Sequence, residues 1–203
     1  GPKTITANYK RQYNITFQQS GCPIAPNVVI DGVNYSVPYS FWFDEDSWHT
    51  VSYESPVSGG LGVQYIVKSP PSSPFKASYS TTITGSYTTQ YLITVNSAHG
   101  NPTPSQWRDK GSSLPVNVQS PADTIQEQTR WLCIGFSVDN GAQQGGTSYT
   151  FSNIQGPHEI KFYWTQQFWL QVETDVSGTK VWQSGWYDSG ANASISAETP
   201  YSE

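Results

Sequence analysis

Few residues in this 203-residue chain are equipped for chemistry, and their spacing limits what that chemistry can be. Asp188-Ser189-Gly190 has the residue types of an aspartic-protease loop, in which two carboxylates share one proton. The matching segments elsewhere, Asp109-Lys110-Gly111 and Asp44-Glu45-Asp46, keep the first aspartate and lose the rest. A turn whose aspartate caps local backbone amides accounts for all of them at once. Asp44-Glu45-Asp46 also offers hard oxygens to calcium, yet it lacks the glycine and the distal glutamate of a calcium loop, so a solvated turn is expected. His49, His99 and His158 are widely spaced and show no His-Glu-x-x-His pattern, which argues against zinc. There is no Gly-x-Ser-x-Gly elbow, and the 15 acidic residues offer many carboxylate pairs for glycoside hydrolysis but no distinguished one. The expectation is a chain without catalytic residues, metal or cofactor.

Cys133 sits in an apolar stretch, where a buried thiol is an ordinary resident, whereas Cys22 sits in a Gly-Pro loop, where an unpaired thiol outside a cell is open to oxidation. A Cys22–Cys133 disulfide is therefore expected. It would close a loop of about 110 residues, worth about 4 to 5 kcal/mol by the chain-entropy argument. Asn-x-Ser/Thr sequons at Asn14, Asn34 and Asn192 mark glycosylation sites and lean toward a secreted or cell-surface setting, while Asn101 is followed by proline and is excluded.

Composition points the same way. Aromatic residues are 14% of the chain and charged residues 12%, about half the usual charged share. Tyr, Thr, Ser, Gln and Asn take the vacant places and methionine is missing, as in all-β extracellular proteins. A net charge of -5 leaves no electrostatic footprint for nucleic acid or an anionic membrane. No stretch approaches the roughly 18 consecutive apolar residues of a membrane span, so no membrane insertion is expected. Gly1-Pro2 reads as the scar of tag removal, which makes the chain a piece of something longer.

The elements that must position these residues recur. Trp42 and Asp44 lead to Pro56, Trp107 and Asp109 to Pro121, Trp186 and Asp188 to Pro200, each with 14 residues from tryptophan to proline. Upstream, Tyr9 with Gln12-Tyr13, Tyr87 with Gln90-Tyr91 and Trp164 with Gln167-Phe168 repeat at offsets of 78 and 77 residues. Fixed-period self-similarity predicts tandem small β-rich modules, sandwich-like or grasp-like, with no long helix. Tyr13, Ile15 and Phe17, then Tyr91, Ile93 and Val95, then Phe168, Leu170 and Val172 alternate with polar residues as half-buried antiparallel strands do. Val51 with Tyr53, Val116 with Val118 and Ile195 with Ala197 form a second such strand before each proline. The expected units are 1–89, preceded by a closing strand at 4–9 from an earlier unit, then 90–166, then half a unit at 167–203. Turns are expected around Cys22, around Asn101 and at Ser177-Gly178.

The succession Gln-Tyr-x-Ile-x-Val, Gly-Trp-Tyr-Asp-x-Gly, Phe-x-x-Asp-Asn-Gly and Ile-x-Phe-x-Trp resembles the divergent internalin-type B-repeats. These occur in bacterial and archaeal surface proteins, including modular extracellular proteins of thermophilic archaea. Residues 90–164 carry the resemblance most fully, whereas the first copy has Ser40-Phe41-Trp42 where Gly-Trp is the pattern. The resemblance implies β-rich modules strung between a cell surface and a functional domain, without catalysis of their own.

A residue present in every copy is explained by the fold, so a specific site belongs among the private ones. Trp42, Trp107, Trp186 and Trp164 fall at repeated positions and are expected in the core. Trp169 occupies the slot of Asn14 and Leu92, and Trp48 that of Ser113 and Asn192, both in outward phase. Sugar rings stack on exposed indoles, which makes Trp169, Trp48 and Trp182 candidate polysaccharide platforms; packing between neighbouring repeat units explains the same slots equally well. The function expected is a non-catalytic extracellular module for adhesion or ligand binding, with polysaccharide the favoured partner. The alternatives are a structural spacer of a larger surface protein and, third, a fragment of a secreted hydrolase.

Overall fold

The computed structural model describes residues 1–173, 181–182 and 184–197, and every regular element among them is a strand. The chain divides into two compact units, Gly1–Tyr91 with Trp107–Gly111, and Leu92–Gln106 with Ser112–Glu203. The first unit contains β1 (Gln12–Ser20), β2 (Asn27–Ile30), β3 (Val33–Ser36), β4 (Tyr39–Asp44), β5 (Trp48–His49), β6 (Val51–Tyr53), β7 (Val57–Ser58), β8 (Val63–Ser69) and β9 (Phe75–Lys76). The long β10 (Thr81–Asn96) carries the chain into the second unit, and most of β11 (Gln106–Asp109) belongs to the first. The second unit continues with β12 (Leu114–Asn117), β13 (Ala122–Ile125), β14 (Thr129–Val138), β15 (Ser148–Phe151), β16 (His158–Leu170), β17 (Val181–Trp182), β18 (Gly185–Asp188) and β19 (Ser196–Ala197).

Alternation makes β1 a strand: Ile15 and Phe17 are buried, and Gln12, Gln18 and Ser20 between and around them are exposed. β1 is antiparallel to β4, from Gln12 opposite Asp44 to Phe17 opposite Tyr39. It is parallel to β10, from Ile15 opposite Thr81 to Ser20 opposite Ser86. A second sheet, β3-β2-β6, turns at Asp31-Gly32. Both turn residues are left-handed and Ile30 pairs with Val33, the two-residue hairpin that Asp-Gly favours. Phe17, Phe43 and Tyr87 from one side meet Val28, Ile30, Val51 and Tyr53 from the other in one buried core. Tyr53 donates its hydroxyl to the Ile83 carbonyl at 2.8 Å and Tyr87 donates to the Glu54 carbonyl at 2.7 Å, so neither buried phenol is unsatisfied.

The second unit begins in the same manner, with the end of β10 parallel to β16 from Ile93–His158 to Asn96–Lys161. β14 runs antiparallel along β16, with β13 beside β14 and β18 on the end of β16. β12 pairs with β15 as a separate ribbon. Ile93, Val116, Ile154 and Ile160 are fully enclosed. A bulge interrupts β14 between Cys133 and Gly135. Gly135 has a φ of 129°, and a Cβ there would lie 2.0 Å from the Gln144 carbonyl oxygen, so only glycine permits the paired hydrogen bonds of Phe136 with Gln144.

Two expectations are corrected. Residues 4–9 form no strand, since each is exposed and unpaired with any sheet. The strand pairs β1–β10 and β10–β16 are parallel rather than antiparallel, which is possible because some sixty intervening residues, far more than the dozen or so a crossover requires, separate the partners. The expected turn at Ser177-Gly178 and the proline at Pro200 lie outside the described residues. The prolines at the shared spacing in the other copies, Pro56 and Pro121, each follow a cis bond from serine.

Burial pushes the phenols of Tyr53 and Tyr87 up to about 12. An absorbance titration of the folded protein should show Tyr53 and Tyr87 ionising later than in denaturant, where a tyrosine ionises near pH 10. The fold holds the neutral phenol, so this stabilisation is complete below about pH 10 and is lost as pH rises through about 12. Gly135→Ala is expected to cost about 2 kcal/mol or more, read as a lowered unfolding midpoint of the second unit.

Candidate functional site

The aspartates with the residue types of a protease loop are strand-end partners. Gln12, Gln90 and Gln167 donate their side-chain amides to Asp44, Asp109 and Asp188 at 2.9, 2.8 and 2.8 Å. The next residue's N–H reaches back to the strand in each case, Glu45 to Arg11, Lys110 to Thr89 and Ser189 to Gln166. Hydrogen bonding from Gln12, followed by Lys10, holds the Asp44 carboxyl below its ordinary range. Among the described residues no group of three or more His, Cys, Asp or Glu is gathered as a metal site.

The same pairing decides where the shared tryptophans point. Phe43 packs inward, edge-on to Phe17 at 6.3 Å, so alternation turns its neighbour Trp42 outward, where it is 58% exposed. Trp107 is 37% exposed. The expectation that these two are core residues is thereby corrected: both indoles reach the surface from strands.

β18 lays Trp186 directly opposite Trp169, with ring centroids 5.4 Å apart at 65°. The Arg130 guanidinium sits 4.4 Å over the Trp186 ring. Trp169 is therefore half-buried within a cluster, and Phe168, expected inward, is exposed. Trp48 is 64% exposed. Trp182 is placed in a short strand, but its side chain lies outside what the structure describes. Of the sequon asparagines, Asn34 and Asn192 are exposed and Asn14 is half-buried.

The expected Cys22–Cys133 disulfide is corrected as well, since both thiols are free. Cys22 is buried in the core of the first unit, its N–H and carbonyl both bonded to the Gln19 side chain, and burial pushes its thiol up. The Cys133 thiol is 3.6 and 3.7 Å from the carbonyl oxygens of Gly135 and Gly146, inside the second unit. Each sulfur is accommodated by its own unit.

Around Trp42 the outer face of the first unit is polar, with the Lys10–Asp44 pair at one end and hydroxyls and amides along the rest. Thr16 meets Ser40 at 2.9 Å, Gln18 donates to Thr84 at 3.2 Å and Ser20 meets Ser86 at 3.4 Å. Asn14 lies directly opposite Trp42 in the strand register. These cross-strand bonds fix the rotamers of the hydroxyls and amides before any ligand arrives.

Sequence reasoning missed the partners of the histidines. Each pairs through Nδ1 with an aspartate: His49 with Asp31 at 2.6 Å, His99 with Asp123 at 2.5 Å and His158 with Asp139 at 2.7 Å. All of these aspartates are left-handed, with φ of 48°, 48° and 49°. The partners lie 18, 24 and 19 residues apart in sequence, so no local motif announces them. His99 also stacks on Trp131 at 4.1 Å. His49 has a further contact, from Nε2 to the Ser47 hydroxyl at 2.6 Å. Ser47 opens, with Lys10, Arg11, Asp44 and Glu45, onto a groove of about 520 Å³. Burial opposes ionisation of Asp31, but the His49 ring and the Thr50 N–H outweigh it and hold the carboxyl below its ordinary range.

Comparisons of this chain with protein-family models, with curated proteins and with solved structures find no match.

A carboxyl held low contributes stability above its unfolded pKa, near 4, that is lost as pH falls through its folded value. Asp31→Asn should therefore flatten the acid limb of a plot of melting temperature against pH between about 5 and 2. An unchanged limb would show that the His49–Asp31 clasp adds no stability.

Proposed function

We propose that this chain is a secreted or cell-surface binding module whose ligand is a neutral polysaccharide, taken on the outer face of β1, β4 and β10 with Trp42 as the stacking platform. The observation that carries this is an indole 58% exposed in the middle of a hydroxyl-and-amide surface. A pyranose ring offers C–H groups to an aromatic plane and hydroxyls to its rim, and this face supplies both. Its Thr, Ser and Gln side chains are already tied to one another, so little side-chain entropy is lost on binding. The nearest charge, Asp44, is a carboxylate already paired with Lys10, which favours a neutral sugar over a uronate. Trp48 adds a second exposed indole in the same unit.

The recurring Gln–Asp bond and outward tryptophan also support tandem modules of the internalin-type kind. In such an array weak sites on successive units act together through effective concentration. Because Asn14 faces Trp42, a glycan attached there would occupy the platform, so binding is best measured on protein from a host that does not N-glycosylate.

Trp42→Ala is expected to weaken binding to a neutral polysaccharide about tenfold or more, by analogy with the worth of base stacking on aromatics. Calorimetric titration against a panel of soluble glucans and mannans would read it. The same change should shift stability by no more than about 0.5 kcal/mol, because no core cavity is left. Trp169→Ala should behave in the opposite way, costing about 2 kcal/mol and leaving affinity unchanged, since its ring is packed on Trp186. If Trp42→Ala and Trp48→Ala both bind as the parent does, the exposed indoles belong to contacts between modules, and a structural spacer takes the place of this proposal.

A further inference from the structure

The His–Asp pair is found at every histidine, so the pair alone belongs to the turns that the left-handed aspartates make. At His49 a third member, a serine hydroxyl, completes a chain. Ser47 Oγ lies 2.6 Å from His49 Nε2, His49 Nδ1 lies 2.6 Å from Asp31 Oδ2, and Asp31 Oδ1 accepts the Thr50 N–H at 2.8 Å. The imidazole of His49 is also held by packing, with its centroid 4.1 Å from that of Phe43 and 5.8 Å from that of Phe75. We propose that Ser47, His49 and Asp31 form an esterase site, with Ser47 as nucleophile, His49 as general base and Asp31 as the group that fixes the tautomer of His49. This departs from the sequence expectation of no catalysis and is independent of the polysaccharide reading.

Asp31 is anchored by Thr50 and accepts Nδ1–H, which leaves the Nε2 lone pair free to take the serine proton once the hydroxyl turns from the Asp44 carbonyl. Ser47 Oγ attacks the acyl carbon of an ester while its proton passes to Nε2. The oxyanion so formed develops in a groove that also holds Lys10 and Arg11, now paired with Asp44 and Glu45 at 3.1 and 3.3 Å. Collapse breaks the bond to the alcohol, which departs with the proton from Nε2 and leaves the acyl group on Ser47. A water then adds to the acyl carbon as its proton moves to Nε2, and cleavage of the Ser47 ester returns that proton to Oγ. One ester and one water become one alcohol and one carboxylic acid. The groove is lined by Tyr9 and otherwise by Lys10, Arg11, Asp44, Glu45, Asp46 and Ser47, so the fitting acyl group is short, acetate included. Ser47 also donates to the Asp44 carbonyl at 2.6 Å, which competes with His49 for the hydroxyl proton and makes acylation slow.

The test is covalent labelling of the folded chain with a fluorophosphonate at about pH 8, with the adduct located by peptide mass mapping and p-nitrophenyl acetate hydrolysis followed in parallel. One adduct is expected, on Ser47, formed in folded protein and not in denaturant. Ser47→Ala should abolish both label and hydrolysis, and His49→Gln should slow labelling at least about a hundredfold, the usual worth of a general base. Should either variant fail to fold, the mapped adduct in the parent chain decides alone. A natively folded chain that leaves Ser47 unlabelled overturns the proposal, as does a Ser47 label whose rate is the same in folded His49→Gln.

Discussion

The rest of the first unit depends on the register of β1 against β4, which buries Ile15, Phe17 and Phe43 on one face. The pair ends in the amide-to-carboxylate bond from Gln12 to Asp44. A slip of one residue would exchange the faces, sending Phe43 to solvent and Trp42 into the core. From the same Asp44 the chain begins its turn: the carbonyl accepts the Ser47 N–H at 3.1 Å and the Ser47 hydroxyl at 2.6 Å. That turn brings His49 back over Phe43. The outward indole and the Ser47–His49–Asp31 chain are thus consequences of one register. Gln90 and Gln167 make the same kind of bond to Asp109 and Asp188 at the ends of their strands.

The strands are legible in the sequence because burial leaves a period of two, plain in Tyr13, Ile15 and Phe17 and in Val51 and Tyr53. The exposed phase of Trp48 is readable in the same way. Phase alone does not say whether a face is covered, which is why Trp169 resembles a free platform and Trp42 a core residue until their neighbours are known. Recurrence suggests burial, whereas a fold can equally repeat an outward residue. Parallel pairing is hidden because it joins strands some sixty residues apart, where only tertiary contact decides the partner. The histidine–aspartate pairs are hidden for a similar reason. The disulfide expectation fails because an oxidation argument about a loop does not see that Cys22 is carried into the core.

The scarcity of charge has a structural counterpart. The lysine and arginine ion pairs of the first unit gather at one end, Lys10 with Asp44, Arg11 with Glu45 and Lys76 with Asp46, and all are exposed enough to contribute little individually. Elsewhere on the outer face neutral hydroxyl and amide pairs stand where other proteins place salt bridges. Such bonds carry no long-range field and respond weakly to salt. A surface of this kind keeps its shape in brine as in fresh water.

The parallel entry of the first unit has a mechanical consequence. The chain enters the first unit through β1 and leaves through β10, and these strands lie side by side pointing the same way. Tension on the two ends pulls them along their length in opposite senses, so the facing pairs from Ile15–Thr81 to Ser20–Ser86 resist in shear and must fail together. An antiparallel pair pulled from its open end would instead unzip, its hydrogen bonds breaking in succession. The second unit carries a shorter parallel pair, from Ile93–His158 to Asn96–Lys161, but there the chain runs on past β16 into β18 of the same unit, so the shear clamp belongs to the first unit.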